Sequence, residues 1–351
     1  MPIVRRGTQA YDAPHVALSV GIMGAGSVGC WIGGRLASQG DVEVTLVGRP
    51  KLRDEARVHG LALTDLGGHS HPIVHPRFES EPATLGSAEV VLCTVKSRQT
   101  IEVARQLAEV LRPETLVISF QNGVHNAEQL RAELPRQYVL AGIVGFNVLS
   151  RGAGTFRRAT SGPLVIEASN DQRAQALSSA LRAAGFEVLN APDIRGLQWS
   201  KLVTNLNNAI SALSGAPTPE LLASPGYRRA LGLVVAEAID VLKRAGIETK
   251  RLGPIPVGLF PLVMRLPTWL LRFVTRAQLE IDPEARSSMW EDLEQRRPTE
   301  IEELNGEIVR LAKAHGLEAP RNQRLIELVH RAEQAQAGSP RLSATALLAE
   351  L

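Results

Sequence analysis

The sequence predicts an α/β chain, with an N-terminal Rossmann-type doubly wound domain followed by an all-α C-terminal domain. Three observations carry this. Short β-branched runs alternate with helical patterns through the first half, the signature of a parallel sheet covered by helices. A glycine fingerprint, Gly24-Ala25-Gly26-Ser27-Val28-Gly29, stands between the first such run and the first helix. Beyond Asn190-Ala191-Pro192 no convincing strand remains, and helical periodicity takes over.

The expected strands are 18–23, 42–47, 90–95, 116–119, 139–148 and 164–168, each an apolar run of the kind a sheet buried on both faces requires. Helices are expected at 28–38, 99–111, 127–133 and 172–184, and a short strand at 186–189 closes this half. Asp65-Leu66-Gly67-Gly68 reads as a hairpin turn between two short strands within 61–78. In the second half, Leu231, Val234, Val235, Ala238, Val241 and Leu242 recur at helical spacing, and Gly246 ends that helix. A second helical stretch, 283–314, is interrupted at Pro298, where a new helix starts. His315-Gly316 ends it with a potential cation and a C-terminal glycine. The chain thus divides into an extension (1–17), a nucleotide-binding domain (18–192), a helical domain (193–335) and a tail (336–351) expected to fray.

Composition narrows the function. The 351 residues hold 39 Lys+Arg against 36 Asp+Glu, a net charge of +3, with 44% hydrophobic residues, which suits about two folded domains. No Lys/Arg run exceeds a pair, so a nucleic-acid footprint is missing. Two cysteines, Cys30 and Cys93, build neither a disulfide framework nor a metal site. The first 17 residues lack an unbroken apolar stretch, so no secretory signal is expected. The apolar segment 252–274 carries four prolines and two arginines, so it does not read as a membrane span. A cytoplasmic protein is expected. His69, His71 and His75 form an H-x-H-x-x-x-H pattern, but without carboxylate or thiol partners it is read as metal-free.

The fingerprint supplies the first chemistry. Gly24 permits a tight turn, Gly26 lets backbone approach a pyrophosphate, and Gly29 allows close helix–strand packing. The following helix N-terminus offers free N–H groups to phosphate. At the tip of the second strand an NAD site places an acid for the ribose 2′-OH, but here the sequence reads Gly48-Arg49. An arginine suits a 2′-phosphate, so NADP(H) is favoured over NAD(H). Two further strands end in Lys96 and in Gln121-Asn122-Gly123, whose side chains can meet phosphate, ribose or nicotinamide at the same edge.

In the second half, Lys201 and Asn205 lie four residues apart in Trp199-Ser200-Lys201-Leu202-Val203-Thr204-Asn205, on one helix face. Only six lysines occur in the chain, and the run around this one is otherwise largely uncharged. Burial there would lower its pKa toward the range useful for proton transfer. A lysine snorkelling at a domain interface fits the same residues. Ser287-Ser288-Met289-Trp290 and Thr299-Glu300-Ile301 flank the Pro298 break, and the residues alone do not single out Glu300 from Glu302 and Glu303.

Taken together, the fingerprint, Arg49, Lys96, Asn122-Gly123, the run from Trp199 to Asn205, Ser287-Ser288-Met289, Thr299-Glu300-Ile301, Asn305-Gly306 and Ala314-His315-Gly316 resemble the ketopantoate reductase family (2-dehydropantoate 2-reductase) over about residues 18–330. The resemblance implies that Lys201 acts as general acid with Glu300 assisting, by orienting the ammonium or bonding the nascent hydroxyl. It implies that Asn205 and Ser288 hold a small 2-keto acid, and that Gly24, Ala25, Gly26, Ser27, Val28, Gly29, Arg49, Lys96 and Asn122 hold NADP(H). The pattern departs from the family where further substrate asparagines are expected: Asn208 matches one after a one-residue shift, and the other falls near Thr218. The reading is therefore ketopantoate reduction, with reduction of a related 2-keto acid and a non-catalytic NADP sensor as alternatives. Trp269-Leu270-Leu271 and Phe273 read as a lid or a dimer contact, and the helical domain makes a homodimer a reasonable assembly.

Overall fold

The computed structural model describes residues 17–253, 255–271 and 282–351. Its first half runs β1 (Leu18–Met23), α1 (Ser27–Ala37), β2 (Val42–Val47), α2 (Pro50–His59), β3 (Ala62–Thr64), β4 (Arg77–Glu79), β5 (Val90–Cys93), α3 (Thr100–Val110), β6 (Leu116–Ser119), α4 (Asn126–Glu133) and β7 (Tyr138–Val144). It continues with β8 (Val148–Gly152), β9 (Thr155–Arg158), β10 (Leu164–Glu167), α5 (Gln172–Ala183) and β11 (Val188–Ala191). Eight strands form one sheet in the order β11-β10-β7-β6-β5-β1-β2-β4. All neighbours pair in parallel except β7 with β10. Parallel strands need crossover helices, and those cover both faces, which is why Val90–Cys93 and Leu116–Ser119 are buried along their whole length.

The chain steps from β1 outward to β2 and returns to the other side at β5. The ends of β1, β2, β5 and β6 therefore open onto one edge, with the reversal of strand order between β1 and β5. Ligands of open α/β sheets gather at such a reversal. A second sheet, β3-β9-β8, packs on α1, whose Trp31 is 2% exposed between the layers.

The second half comprises α6 (Ile194–Asn205), α7 (Asn207–Ser214), α8 (Thr218–Ala223), α9 (Pro225–Arg244), α10 (Phe260–Val263), α11 (Ser288–Glu294), α12 (Ile301–Ala314), α13 (Pro320–Ala335) and α14 (Ala344–Glu350). The periodic face of α9, from Leu231 to Leu242, is buried in a single apolar cluster with α6, α7, α12 and α13. That burial, not intrinsic helix propensity, is what holds a helix in water. Val124, from the loop after β6, is buried in the same cluster and so ties the two halves together. Among the described residues no helix is long and apolar enough to cross a membrane.

Several expectations are corrected. α2 was not anticipated. It begins at Pro50 and buries only Ala56, so it carries no apolar stripe to read. The expected strand 139–148 is two strands, because Gly145 donates its N–H to Pro163 and its missing side chain makes room for that residue. The β8–β9 hairpin that follows was not anticipated. The turn at Asp65-Gly68 exists, with Gly68 N–H donating to the Asp65 carbonyl, and antiparallel bridges Thr64–Ser70 and Leu61–Val74 flank it as a short hairpin; β4, farther along, pairs with β2 in the main sheet. The stretch 283–314 becomes helical only at Ser288, and after the break it resumes at Ile301. The tail does not fray: α14 packs on α9 and Leu347 is completely buried.

The extension 1–16, Phe273 and part of the 252–275 segment lie outside the described residues. Within that segment Trp269 is 72% exposed while Leu271 is buried in the core. His71 is bonded to Arg35, with Nη1 2.5 Å from Nδ1, and meets Trp31 edge-on. Burial and the neighbouring Arg35 lower its pKa.

Candidate active site

The phosphate-binding edge follows directly from the glycines. Gly24 has φ +105°, and a Cβ there would lie 2.6 Å from the Val95 backbone nitrogen, so only glycine turns the chain at this point. A Cβ on Gly29 would stand 2.5 Å from the Gly24 carbonyl oxygen, so α1 can approach β1 only without it. Gly26 differs: no atom lies within 4 Å of its would-be Cβ, and it caps α1 with no side chain covering the helix end. Ala25, Ser27 and Val28 complete this rim. Its bare backbone and exposed amide ends match what a pyrophosphate needs. Arg49, one residue beyond Gly48 at the tip of β2, is exposed, and its side chain meets no partner among the described residues.

Lys96 and Asn122 leave β5 and β6 at the same edge, but they do not stand free. Lys96 Nζ is 3.0 Å from Asp292 Oδ2 and 3.2 Å from Glu300 Oε2. Burial opposes its charge, yet these two carboxylates outweigh that and raise its pKa. Glu300 is 4% exposed and accepts three bonds. The Ser97 N–H reaches Oε1 at 3.1 Å, while Lys96 Nζ and Asn122 Nδ2, at 3.2 and 3.3 Å, reach Oε2. Burial alone would raise the Glu300 pKa, but Lys96 and the two neutral donors reverse this and hold it below the usual carboxylate range. Arg297, 2.9 Å from Asp292 Oδ1, completes the ion cluster.

Lys201 and Asn205 lie one turn apart on the same face of α6, both half-buried. Asn205 Nδ2 donates to Asn122 Oδ1 at 3.3 Å, which joins it to Glu300 through one amide. Among the described residues the Lys201 ammonium meets no hydrogen-bond acceptor or carboxylate, and burial lowers its pKa to about 8. The Glu300 carboxylate bonds Lys96, Ser97 and Asn122, with no direct bond to Lys201 among the described residues. The role of bonding a nascent hydroxyl stays open to it.

Ser288 opens α11 and is half-buried. Its neighbour Ser287 is the cap, accepting the Trp290 N–H at 3.1 Å and donating to the Asn208 carbonyl at 3.0 Å. That pair ties Asn208 on α7 to the start of α11, so the two candidate substrate residues are neighbours. Sequence reasoning missed Asp292 and Ser97. Asp292 and Lys96 are 196 residues apart, and no local pattern reveals such a pair. The Thr299 N–H donates to Glu333 Oε1 at 2.7 Å, pinning the residue before Glu300 to α13. Among the described residues no group of His, Cys, Asp and Glu could hold a metal.

Comparison with known proteins agrees with this architecture. Residues 20–171 match the family described as "Ketopantoate reductase PanE/ApbA", and residues 193–333 match its C-terminal part. A 2-dehydropantoate 2-reductase of Halobacterium salinarum is 27% identical, over 90% of this chain and 99% of its own. One from Archaeoglobus fulgidus is 29% identical, over 90% and 97%. Among solved structures, a PanE/ApbA family ketopantoate reductase from Ralstonia eutropha superposes with TM-score 0.76 at 32% identity, covering 91% of this chain and 99% of that one. A D-mandelate dehydrogenase shares the fold at 20% identity and TM-score 0.74, over 91% and 99%. With both halves matched in order across most of its length, the chain belongs to the ketopantoate reductase family.

Proposed function

We propose that the protein is an NADPH-dependent reductase converting 2-dehydropantoate to pantoate. The observation that carries this reading is Lys201: an ammonium with no side-chain partner among the described residues and a pKa lowered by burial to about 8, one helical turn from Asn205, which bonds Asn122 and through it reaches Glu300. The names of the Halobacterium and Archaeoglobus relatives support the substrate. The rim at Gly24–Gly29 fits a pyrophosphate, because Gly26 leaves open space where a side chain would stand. Arg49 fits a ribose 2′-phosphate, since it is a guanidinium able to grip two oxygens in parallel.

A reduced nicotinamide, when bound, supplies a hydride for a carbonyl carbon. Lys201 supplies the matching proton: its Nζ–H bond breaks as the substrate oxygen becomes a hydroxyl, and the neutral amine is recharged from solvent. With a pKa near 8 the lysine is mostly protonated at neutral pH yet gives up its proton far more readily than a solvated lysine. Asn205 and Ser288 offer hydrogen bonds for the carboxylate and hydroxyl of the substrate, with Asn208 beside them. Glu300, fixed by Lys96 and Asn122, holds negative charge next to the forming hydroxyl. Asn122 connects the coenzyme edge to Asn205, so one amide couples both substrates.

A related 2-keto acid is the second reading, favoured by Thr218 standing near where the family pattern expects an asparagine. The test is NADPH consumption with a panel of 2-keto acids. Turnover on 2-dehydropantoate far above the others is expected, and turnover on none of the panel would overturn the reading. A cytoplasmic homodimer goes with it, to be checked by cell fractionation and sedimentation.

A further inference from the structure

Behind Glu300 lies a web of side chains that the proposed reaction does not use. Ser97, Thr100, Ser119, Gln121 and Asn126 are each at least nine-tenths buried, at 7%, 0%, 3%, 8% and 6% exposure. Polar groups cost free energy to bury unless their bonds are satisfied, and here they bond to one another. Asn126 Nδ2 donates to Ser97 Oγ at 3.1 Å and to the Asn122 carbonyl, while Ser97 Oγ donates to that same carbonyl at 2.6 Å. The Thr100 hydroxyl lies 2.7 Å from both the Ser97 carbonyl and Asn126 Oδ1, so its single hydrogen is shared between them. Gln121 Nε2 donates to Thr100 Oγ1 at 2.7 Å and to the Val95 carbonyl at 3.2 Å. Ser119 Oγ donates to Gln121 Oε1 at 3.0 Å.

The web spans the ends of β5 and β6 and the starts of α3 and α4. Among the described residues it reaches the other half of the chain through the Ser97 N–H, which ends on the Glu300 carboxylate, and through the Asn122 side chain, which bonds both Glu300 and Asn205. Gly123 fits the same purpose. Its φ is +93°, and a Cβ there would press to 3.3 Å on Asn126 Nδ2.

We infer that Thr100 and Asn126 are positioning residues of the reductase centre: they fix Ser97 and Asn122, and through these two the placement of the Glu300 carboxylate. The inference rests on the reductase reading for its kinetic consequence but not for its structural one. The charged groups facing Glu300 are Lys96 from the end of β5 and Glu303 from α12, with Asp292 and Arg297 behind Lys96. None of them belongs to the web, so cutting the web leaves the local charges in place.

The test compares the full-length wild type with Thr100→Val, Thr100→Ser and Asn126→Ala. Thr100→Val keeps the shape and removes the hydroxyl, whereas Thr100→Ser keeps the hydroxyl. Two readouts are taken: steady-state kinetics with NADPH and 2-dehydropantoate, and titration of the Glu300 carboxyl by 13C NMR without coenzyme, assigned by its loss in Glu300→Gln. Thr100→Val and Asn126→Ala are expected to lower kcat about tenfold, the cost of one hydrogen bond left unmade, with little change in either KM. Their Glu300 carboxyl is expected to titrate at higher pH than in the wild type, and Thr100→Ser to behave as wild type in both readouts. Should Thr100→Val fail to fold, Asn126→Ser serves the same comparison. Folded variants with wild-type kcat and an unmoved Glu300 titration would overturn the inference. A wild type without turnover would remove the reductase reading instead, and the coenzyme-free titration would still decide the positioning role.

Discussion

Replacing Lys201 with methionine is expected to stabilise the protein while disabling it. Burial takes the ammonium from an ordinary 10.5 to about 8. At about 1.4 kcal/mol per pKa unit this corresponds to about 3 kcal/mol against holding the charge in the folded state. The folded pKa lies below the unfolded one, so below pH 8 both states carry the proton and the folded state bears the whole cost. Between pH 8 and 10.5 the folded state releases its proton first, and this group makes the wild type more stable as pH rises. Above 10.5 the cost is gone. Methionine has nearly the same length and no charge, so Lys201→Met removes the cost at every pH, less a small packing loss. Urea unfolding of both proteins should give the variant an advantage of about 1–3 kcal/mol at pH 7 that shrinks toward pH 10.5. Activity should fall by about 100-fold or more, since general acids contribute on that order. Stability at an active centre is commonly traded for function in this way. A variant that is less stable at pH 7, or an advantage that does not shrink with pH, would refute the idea of a desolvated ammonium.

Other outcomes follow from the same structure. Arg49→Ala should weaken NADPH binding about tenfold or more and leave NADH nearly unchanged, as parallel fluorescence titrations would show; equal losses would remove the 2′-phosphate role. Leu347→Ala should cost about 2–4 kcal/mol in urea unfolding, because its completely buried side chain leaves a cavity; a change under about 0.5 kcal/mol would mean that the tail is not packed. His125 bonds Glu307 at 2.8 Å and Glu128 at 2.9 Å, and these partners raise its pKa to about 9 against an opposing burial effect. The stability this pair contributes is therefore complete below about pH 6.5 and is lost as pH rises through 9. The difference in Tm between wild type and His125→Gln should shrink over that window, and a constant difference would contradict the charged pairing.

The sequence makes the sheet and the coenzyme edge readable because parallel strands are apolar throughout and the fingerprint glycines answer to local backbone geometry. Leu18–Met23, Val42–Val47 and Leu116–Ser119 lie where the apolar runs place them. α2 escaped because its charged surface leaves only Ala56 buried, and α14 because seven residues rich in alanine show no stripe, although Leu347 anchors them. The spacing of Lys201 and Asn205 on one face of α6 was legible. What held Glu300 was not. Its partners Lys96, Ser97 and Asn122 come from the other half of the chain, and folding alone brings them together.

The most direct test of the central claim is kcat/KM for 2-dehydropantoate against pH, measured on the wild type and on Lys201→Ala, because this quantity reports the ionisations of the free enzyme. The wild type should lose activity as pH rises through about 8, where Lys201 gives up its proton. Lys201→Ala should be slower by about 100-fold or more at neutral pH and lack that descending limb. Wild-type rates in the alanine variant, or the same limb in both proteins, would show that the proton comes from elsewhere.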